Sequence, residues 1–414
     1  MSASEILETR GHLMDSGVLA RVLDDVLAYG VDYRIDRLDV GRAHDDESYA
    51  RIEVSAADGD ALARLLMRLQ AHGINQVDPG EALVRAVEQD GVFPDDFYST
   101  TNLETVVRLE GSWVPVEHPE MDCGLLVEDG RVRTVPVSDV RAGQLVVCGA
   151  GGVKVVLPLR EHSTTDDRFE FMSSAVSSEK PQSLLLRQIA QQMREVKADG
   201  GKVLWVGGPA VVHTGAAPAM VALVEAGYVD VLFAGNALAT HDIEASLYGT
   251  SLGIDLAAGK GVEHGHEHHI RAINQIRKAG SIAAAVSQGV LTGGVMHAMV
   301  TQGKTFVLVG SVRDDGPLPD VHTDVIAGQR AMRAELPGVG FAIMVATMLH
   351  SIATGNLLPA SVPLVCVDIN PAPVTKLADR GSAQAVGIVT DIGLFLEGLA
   401  RELVPGFDPG AAAR

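Results

Sequence analysis

Apolar residues along this chain change period twice. In residues 1–95 short alternating runs take turns with helical ones. Glu5 to Leu13 reads as a strand. Gly17 to Tyr29 places Leu19, Val22, Leu23, Val26 and Leu27 on one helical face. Asp32 to Arg42 and Ser48 to Ser55 alternate apolar and polar residues with period two, as half-buried strands do. Asp58 to His72 predicts a second helix with Leu62, Leu65, Leu66 and Leu69 inward, and Ile74 to Val77 a closing strand.

The order βαββαβ is a ferredoxin-like or ACT-like α+β pattern, which serves as a scaffold, binds amino acids or mediates dimerisation. Residues 96–181 are strand-rich. Thr105 to Leu109, Ser112 to Val116, Gly124 to Val127, Val132 to Pro136 and Leu145 to Leu157 are β runs separated by Gly, Asp and Pro. Asp166 to Pro181 is polar and reads as a linker or a substrate lid. From 182 to 414 nearly continuous apolar runs appear at Val203–Val206, Val229–Ala234, Thr305–Val309, Phe341–Met348, Leu364–Asp368 and Ala385–Val389. Such runs mark strands buried on both faces. Helical stretches at Pro218–Ala226, His268–Lys278, Ile326–Leu336 and Pro373–Arg380 separate most of them. The prediction is an α/β protein: a C-terminal Rossmann-like parallel sheet, preceded by the α+β domain and a small β-rich domain.

Composition narrows the function. The 414 residues are 47% hydrophobic and 21% charged, ordinary for globular chains. With 53 acids against 33 bases the formal charge is −20, which repels nucleic-acid backbones and suits a small-molecule substrate. No run approaches the about 18 apolar residues of a membrane span, and no signal-peptide pattern opens the chain. Cys123, Cys148 and Cys366 form no CxxC pair. A reducing, cytoplasmic setting and no thiolate metal site follow as expectations. His264, His266, His268 and His269 alternate in a Gly-rich loop, but without the helix spacing and supporting acid of a catalytic zinc site; no metal is expected.

Ligands of open parallel sheets bind beyond the carboxyl ends of the strands. Thr347 to Asn356 follows one such strand, and Asp368 lies about 20 residues further on, where a dinucleotide fold places the acid that bonds the adenosine ribose. The alternative is that Asp368 or Asn370 caps a helix. A G-x-G-x-x-G is missing, so phosphates would rest on the amides of Met348 to Ser351 at a helix start. Gly207 and Gly208 open a loop after the first strand of this region. Asn236 and Ala237 follow another strand, with Thr240, His241, Asp242 and Glu244 beyond; the set reads as a ligand approach or as a turn with a helix cap. Arg313, Asp314 and Asp315 follow a third strand, where paired carboxylates hold an ammonium, act as acid or base, bond a ribose, or merely decorate a solvated turn.

Longer segments carry a resemblance. They are Gly91–Tyr98 with Thr100–Asn102, Met121–Cys123, and Phe169–Met172 with Val176–Glu179. The strongest are Arg313–Pro317, Thr347–Asn356, Val367–Pro371 and Val389–Asp391. Over nearly its whole length the chain resembles the archaeal-type ornithine cyclodeaminases of the LOR/SDH bifunctional enzyme conserved region family. It is also similar to the C-terminal part of arginine dihydrolase/ornithine cyclodeaminase fusions. The resemblance implies conversion of L-ornithine to L-proline and ammonia, with NAD⁺ consumed and regenerated. It implies NAD contacts at Asn236, Ala237, Asp315, Thr347, Met348, Leu349, His350, Asp368 and Asp391. Asp314 is then the candidate acid/base or ammonium-binding residue, and Arg313 a bidentate partner for the substrate carboxylate. A homo-oligomer is expected. The alternatives are a saccharopine- or opine-type NAD-dependent dehydrogenase and a non-catalytic amino-acid sensor.

Overall fold

In the computed structural model the described residues are 3–11, 13, 18–41, 46–70, 72–156, 182–252, 254–255, 267–314, 316–379 and 385–408. The polar stretch from 166 to 181, with its resemblance segments, and His264, His266 and Asp315 lie outside them. Contacts divide the chain into two units, Met1–Asp166 with Asn356–Ser361, and Asp167–Gly355 with Val362–Arg414.

The first unit opens with β1 (Ala3–Gly11), α1 (Val18–Ala28), β2 (Asp32–Asp39), β3 (Ser48–Ala56), α2 (Gly59–Gln70) and β4 (Asn75–Gln76). The strands form an antiparallel sheet in the order β2-β3-β1-β4. This is the α+β pattern read from the sequence. Leu7, Ile52 and Val54 of the sheet meet Val22, Val26, Leu65 and Leu69 of the helices in one core. Each such fully buried side chain contributes about 1.5–3 kcal/mol. Edge strand β2 differs from the half-buried reading, because all eight of its residues are exposed. An irregularity between Ile35 and Arg37 sets Tyr33, Ile35 and Leu38 opposite Val54, Ile52 and Ala50, on the core side, yet leaves them in solvent.

A second sheet takes β5 (Leu83–Ala86), β6 (Glu104–Leu109), β7 (Ser112–Glu117), β8 (Gly124–Glu128), β9 (Arg131–Val135), β10 (Leu145–Cys148) and β11 (Val153–Val156). Its order is β11-β6-β7-β9-β8-β10-β5. The run from Leu145 to Leu157, read as one strand, is two. Gly149 and Gly152 adopt φ of 65° and 70°, which turns the chain between β10 and β11. A Cβ on Gly152 would stand 2.1 Å from the Ala82 nitrogen. The side chains of Gln70 and Asn75 tie the two sheets together. Gln70 Nε2 donates to the carbonyls of Ala150 and Val153, and Asn75 exchanges two bonds with Val155.

The second unit holds α3 (Gln182–Ala198), β12 (Lys202–Gly207), α4 (Ala210–His213), α5 (Ala217–Glu225), β13 (Val231–Gly235) and α6 (Asn236–Tyr248). Then come β14 (Thr250–Ser251), β15 (Ile254–Asp255), α7 (His268–Ala279), α8 (Ile282–Ser287), α9 (Val295–Thr301), β16 (Thr305–Val309), β17 (Val321–His322) and α10 (Val325–Glu335). The last elements are β18 (Val339–Val345), α11 (Leu349–Leu357), β19 (Leu364–Asp368), α12 (Pro371–Asp379), β20 (Ala385–Val389) and α13 (Ile392–Leu403). Seven strands form one sheet, β17-β16-β13-β12-β18-β19-β20, with every neighbouring pair parallel. The expected parallel sheet is therefore present. Counted from β18, the order β20-β19-β18-β12-β13-β16 is the 3-2-1-4-5-6 of a dinucleotide fold, with its two halves in the opposite chain order. The reversal of winding falls between β12 and β18.

Central strands are buried along almost their whole length. At their amino ends Asp230 accepts from the Lys197 and Lys304 ammoniums at 2.7–2.8 Å and from the Val203 amide at 2.9 Å. Burial alone would raise the Asp230 pKa, but these bonds hold it below the usual carboxylate range.

Helix α6 is buried all round, and its Asp242 supports α9. The carboxylate accepts from the Val295 and Met296 amides at 2.8 Å each, satisfying groups that a helix start leaves unpaired. Complete burial pushes Asp242 up to about 6, against the two bonds. A raised acid means that the native state binds more protons than the unfolded chain between about pH 4 and pH 6. Stability from this group is therefore greatest at low pH and lost as pH rises through about 6. In urea titrations of wild type and Asp242→Asn, the wild-type stability relative to the variant should fall by roughly 2–3 kcal/mol from pH 4 to pH 7. A pH-independent difference would contradict this account.

Candidate active site

The exits of β12, β13, β16, β18 and β19 converge around the winding reversal. Strand β18 stops at Val345, three residues earlier than its apolar run suggests. Ala346 then takes φ 53°, a left-handed conformation unusual outside glycine, and re-aims the chain into α11. Across the reversal, the Gly208 amide donates to the Val345 carbonyl at 2.9 Å. A Cβ on Gly208 would stand 1.8 Å from the Ala346 oxygen, so only glycine fits.

The start of α11 has no acidic residue in its first turn. Ser351 Oγ donates to the Thr347 carbonyl at 2.5 Å, so that hydroxyl is spent on the turn's own backbone. The first amides of the helix, at Met348 to Ser351, are those that need an acceptor from outside. Apolar side chains that the core does not cover stand at or follow the exits of β18, β19 and β20. Leu349 is 75% and Ile369 70% exposed, and Met348, Val389 and Leu394 are exposed as well. Free helix amides beside an apolar rim match a phosphate and the flat face of a base.

At the next exit, Asp368 Oδ1 accepts from the Asn370 amide at 2.8 Å. Asn370 Oδ1 in turn accepts from Ala372, so Asn370 rather than Asp368 caps α12. At the exit of β20, Asp391 is the cap of α13, with Oδ1 accepting from Leu394 at 3.0 Å.

On the other side of the reversal, Asn236 begins α6 and is buried. Its Oδ1 accepts from the Leu318 amide at 3.0 Å, which joins the exits of β13 and β16, while Ala237 is half-buried beside it. His350 of α11 meets the same place. Its Cε1 would lie 3.3 Å from a Cβ on Gly235, and its ring bonds the Val309 carbonyl. Burial lowers the His350 pKa, with the Val309 carbonyl and nearby Asp314 opposing, so a neutral imidazole is held there. Asp314 closes its own turn by accepting from the Ser311 amide at 2.8 Å, and Arg313 is exposed. His350 thus sits with Gly235, Val309 and Asp314, whereas Thr347, Met348 and Leu349 stand at the exit of β18 beside Gly208, and Asp368 and Asp391 at the exits of β19 and β20.

A second polar set was missed as a unit: His241, Glu244 and His268 were noticed singly, His213 and Thr250 not at all. His241 and Glu244, one turn apart on buried α6, pair at 2.8 Å. Thr250 donates to the other Glu244 oxygen, and His268 reaches Thr250. His213 lies edge-on to His241 with ring centroids 4.8 Å apart. The available signal was an H-x-x-E pair inside a helix with apolar residues all round. Among the described residues no group of three or more His, Cys, Asp or Glu could hold a metal ion. No described helix is long and apolar enough to cross a membrane.

Comparison with known proteins identifies the family of the chain. Residues 187–399 match the family model described as arginine dihydrolase ArgZ-like, C-terminal, Rossmann fold. Residues 4–103 match the LOR/SDH bifunctional enzyme conserved region, and 104–186 the first region of the ArgZ-like C-terminal part. The ornithine cyclodeaminase of Methanothermobacter thermautotrophicus is 51% identical over 97% of this chain and 98% of its own length. The bifunctional arginine dihydrolase/ornithine cyclodeaminase AgrE of Nostoc is 42% identical, over 97% of this chain and 58% of its own. Among solved structures, apo ArgZ matches with TM-score 0.83 and 36% identity over 97% of this chain and 58% of that one. The ternary complex of AgrE with ornithine and NAD⁺ matches with TM-score 0.53 and 39% identity, over 97% and 57%. The chain belongs to the family that unites the archaeal ornithine cyclodeaminases with the C-terminal part of the ArgZ-like arginine dihydrolases.

Proposed function

We propose that the protein is an NAD-dependent ornithine cyclodeaminase, converting L-ornithine to L-proline and ammonia. The observation that carries this reading is the end-to-end similarity to archaeal ornithine cyclodeaminases, 51% in one case, with no large part of either chain left over. The Rossmann-type order of the second unit and the relative solved with ornithine and NAD⁺ support it.

The bound nicotinamide would take hydride from the substrate Cα and return it to the cyclic imine. The residues of the chain divide the remaining work. Amides of Met348, Leu349 and His350 hold the pyrophosphate, with Thr347 shaping the turn. Asp368 keeps one carboxylate oxygen for the adenosine ribose, which a 2′-phosphate would repel. Asn236 and Ala237 border the nicotinamide half. Asp391, and Asp315 outside the described residues, complete the proposed cofactor set. Asp314 holds a substrate ammonium beside the neutral His350, and Arg313 turns inward to the substrate carboxylate. Three buried free cysteines suit a reducing cytoplasm. The uncovered Tyr33, Ile35 and Leu38 of β2 support association into a homo-oligomer.

Purified protein given L-ornithine and sub-stoichiometric NAD⁺ should release proline and ammonia in equal amounts over many turnovers, without net NADH. Stoichiometric NADH from another amino acid would replace this reading with a dehydrogenase. Asp314→Asn should lower kcat by about 100-fold or more while NAD⁺ binding measured by calorimetry stays unchanged. Turnover like wild type would remove Asp314 from the mechanism. Asp368→Ala should weaken NAD⁺ by roughly tenfold and narrow its preference over NADP⁺. Unaltered affinities for both cofactors would show that Asp368 serves only its turn.

A further inference from the structure

Ornithine cyclisation is a problem of protons as much as of hydride. The substrate enters with two ammonium groups. The α-ammonium loses one proton before hydride can leave Cα, and the δ-ammonium loses one before its lone pair attacks Cα. The new C–N bond closes the ring, and the old Cα–N bond breaks as ammonia departs. Both protons return, one to the departing ammonia and one to the ring nitrogen of proline. The site must lend out two proton-accepting positions and recover them.

We propose that His241 and His213, backed by Glu244, are that proton-transfer station. The proposal rests on the cyclodeaminase reading above. Placement comes from the sheet. β12 and β13 are adjacent parallel strands, numbers 4 and 5 in the dinucleotide order, which belong to the half opposite the ribose-binding Asp368. The elements leaving their carboxyl ends, α4 and α6, carry His213 and His241 into ring contact.

Hydrogen-bond bookkeeping assigns the tautomers. With Glu244 as a carboxylate, which only accepts, His241 donates through Nδ1 to Oε2 at 2.8 Å. Thr250 spends its one proton on Glu244 Oε1 at 2.9 Å, so His268 donates through Nδ1 to Thr250 at 2.8 Å. The bond from His241 leaves Nε2 as the ring nitrogen not turned to Glu244, with a fully buried carboxylate behind the ring. His213 is aligned by Ser251, whose Oγ lies 2.6 Å from Nδ1. Burial first, and a charge on His241 second, lower its pKa, with Glu244 opposing, so the neutral imidazole is favoured there. Among the described residues, the titratable groups facing the pair include Glu244 on α6, and His268 and His269 on α7. Asp242 on α6 is committed to the α9 amides. His241 exceeds what packing requires of the buried α6, where an apolar side chain would fill the same volume.

The test uses the full-length wild type with His241→Gln, His213→Gln and Glu244→Gln. Calorimetry with NAD⁺ reports fold and cofactor site. Proline formation gives kcat, and its pH dependence shows which group titrates. Either histidine variant should bind NAD⁺ within about threefold of wild type yet lose on the order of 100-fold or more in kcat. In Glu244→Gln the acid limb of kcat/KM should move to lower pH, because the imidazolium loses its counter-charge; a merely structural Glu244 would leave that limb in place. Variants that bind NAD⁺, turn over within about threefold of wild type and keep its pH profile would overturn the assignment. Should His241→Gln fail to bind NAD⁺, half-buried His213 decides by the same measurements. A wild type that makes no proline from ornithine would sink the cyclodeaminase reading itself, and this assignment with it.

Discussion

One backbone contact governs the second unit. Where β12 and β18 leave the sheet in opposite winding directions, Gly208 comes so close to Ala346 that a Cβ would sit 1.8 Å from its carbonyl oxygen. Closed to side chains there, the two strand exits diverge immediately above. Ala346 pays with a left-handed φ, and α11 starts in the opening with its first amides turned to whatever binds. Gly207 and Gly235 extend the same restriction, since a Cβ on either would meet Leu238 at 2.7 Å or His350 at 3.3 Å. The crevice is thus a consequence of strand order, kept open by residues that lack side chains.

Around that opening most polar groups are already spoken for. Asn370 and Asp391 cap helices, Asp314 closes a turn, and Asn236 spends its oxygen on Leu318. Each is worth roughly 0.5–2 kcal/mol as a local device. Such residues are well suited to binding because the same bonds fix their orientation before a ligand arrives. Buried polar groups on the helices obey a stricter rule. Asp242 keeps its place through two amides, and Glu244 through His241 and Thr250, because an unpaired carboxylate in that interior would be ruinous.

Periodicity alone located the βαββαβ opening and the buried parallel strands, since period two, period 3.6 and unbroken apolar runs report burial directly. It erred where the rule is incomplete. Apolar character continued past Val345 and merged β10 with β11, because Ala346, Gly149 and Gly152 change the backbone rather than the hydrophobicity. Strand β2 alternates like a buried strand and is exposed, because edge position is a property of the sheet and not of the segment. Asp368 was legible as a strand-end acid. That Asn370 caps α12 in its place needed the hydrogen bonds.

By itself the sequence determined where the main apolar strands and several of the helices run, that the C-terminal half is a parallel sheet, and which residues stand at its strand exits. These follow from local patterns of apolar and polar side chains. Strand order was decided only by tertiary structure, and with it the swap of the two dinucleotide halves and the meeting of His213, His241, Glu244, Thr250 and His268 from α4, α6, β14 and α7. No local pattern encodes such a meeting, because those residues are neighbours only after parallel strands pair across long crossovers and bury their shared core.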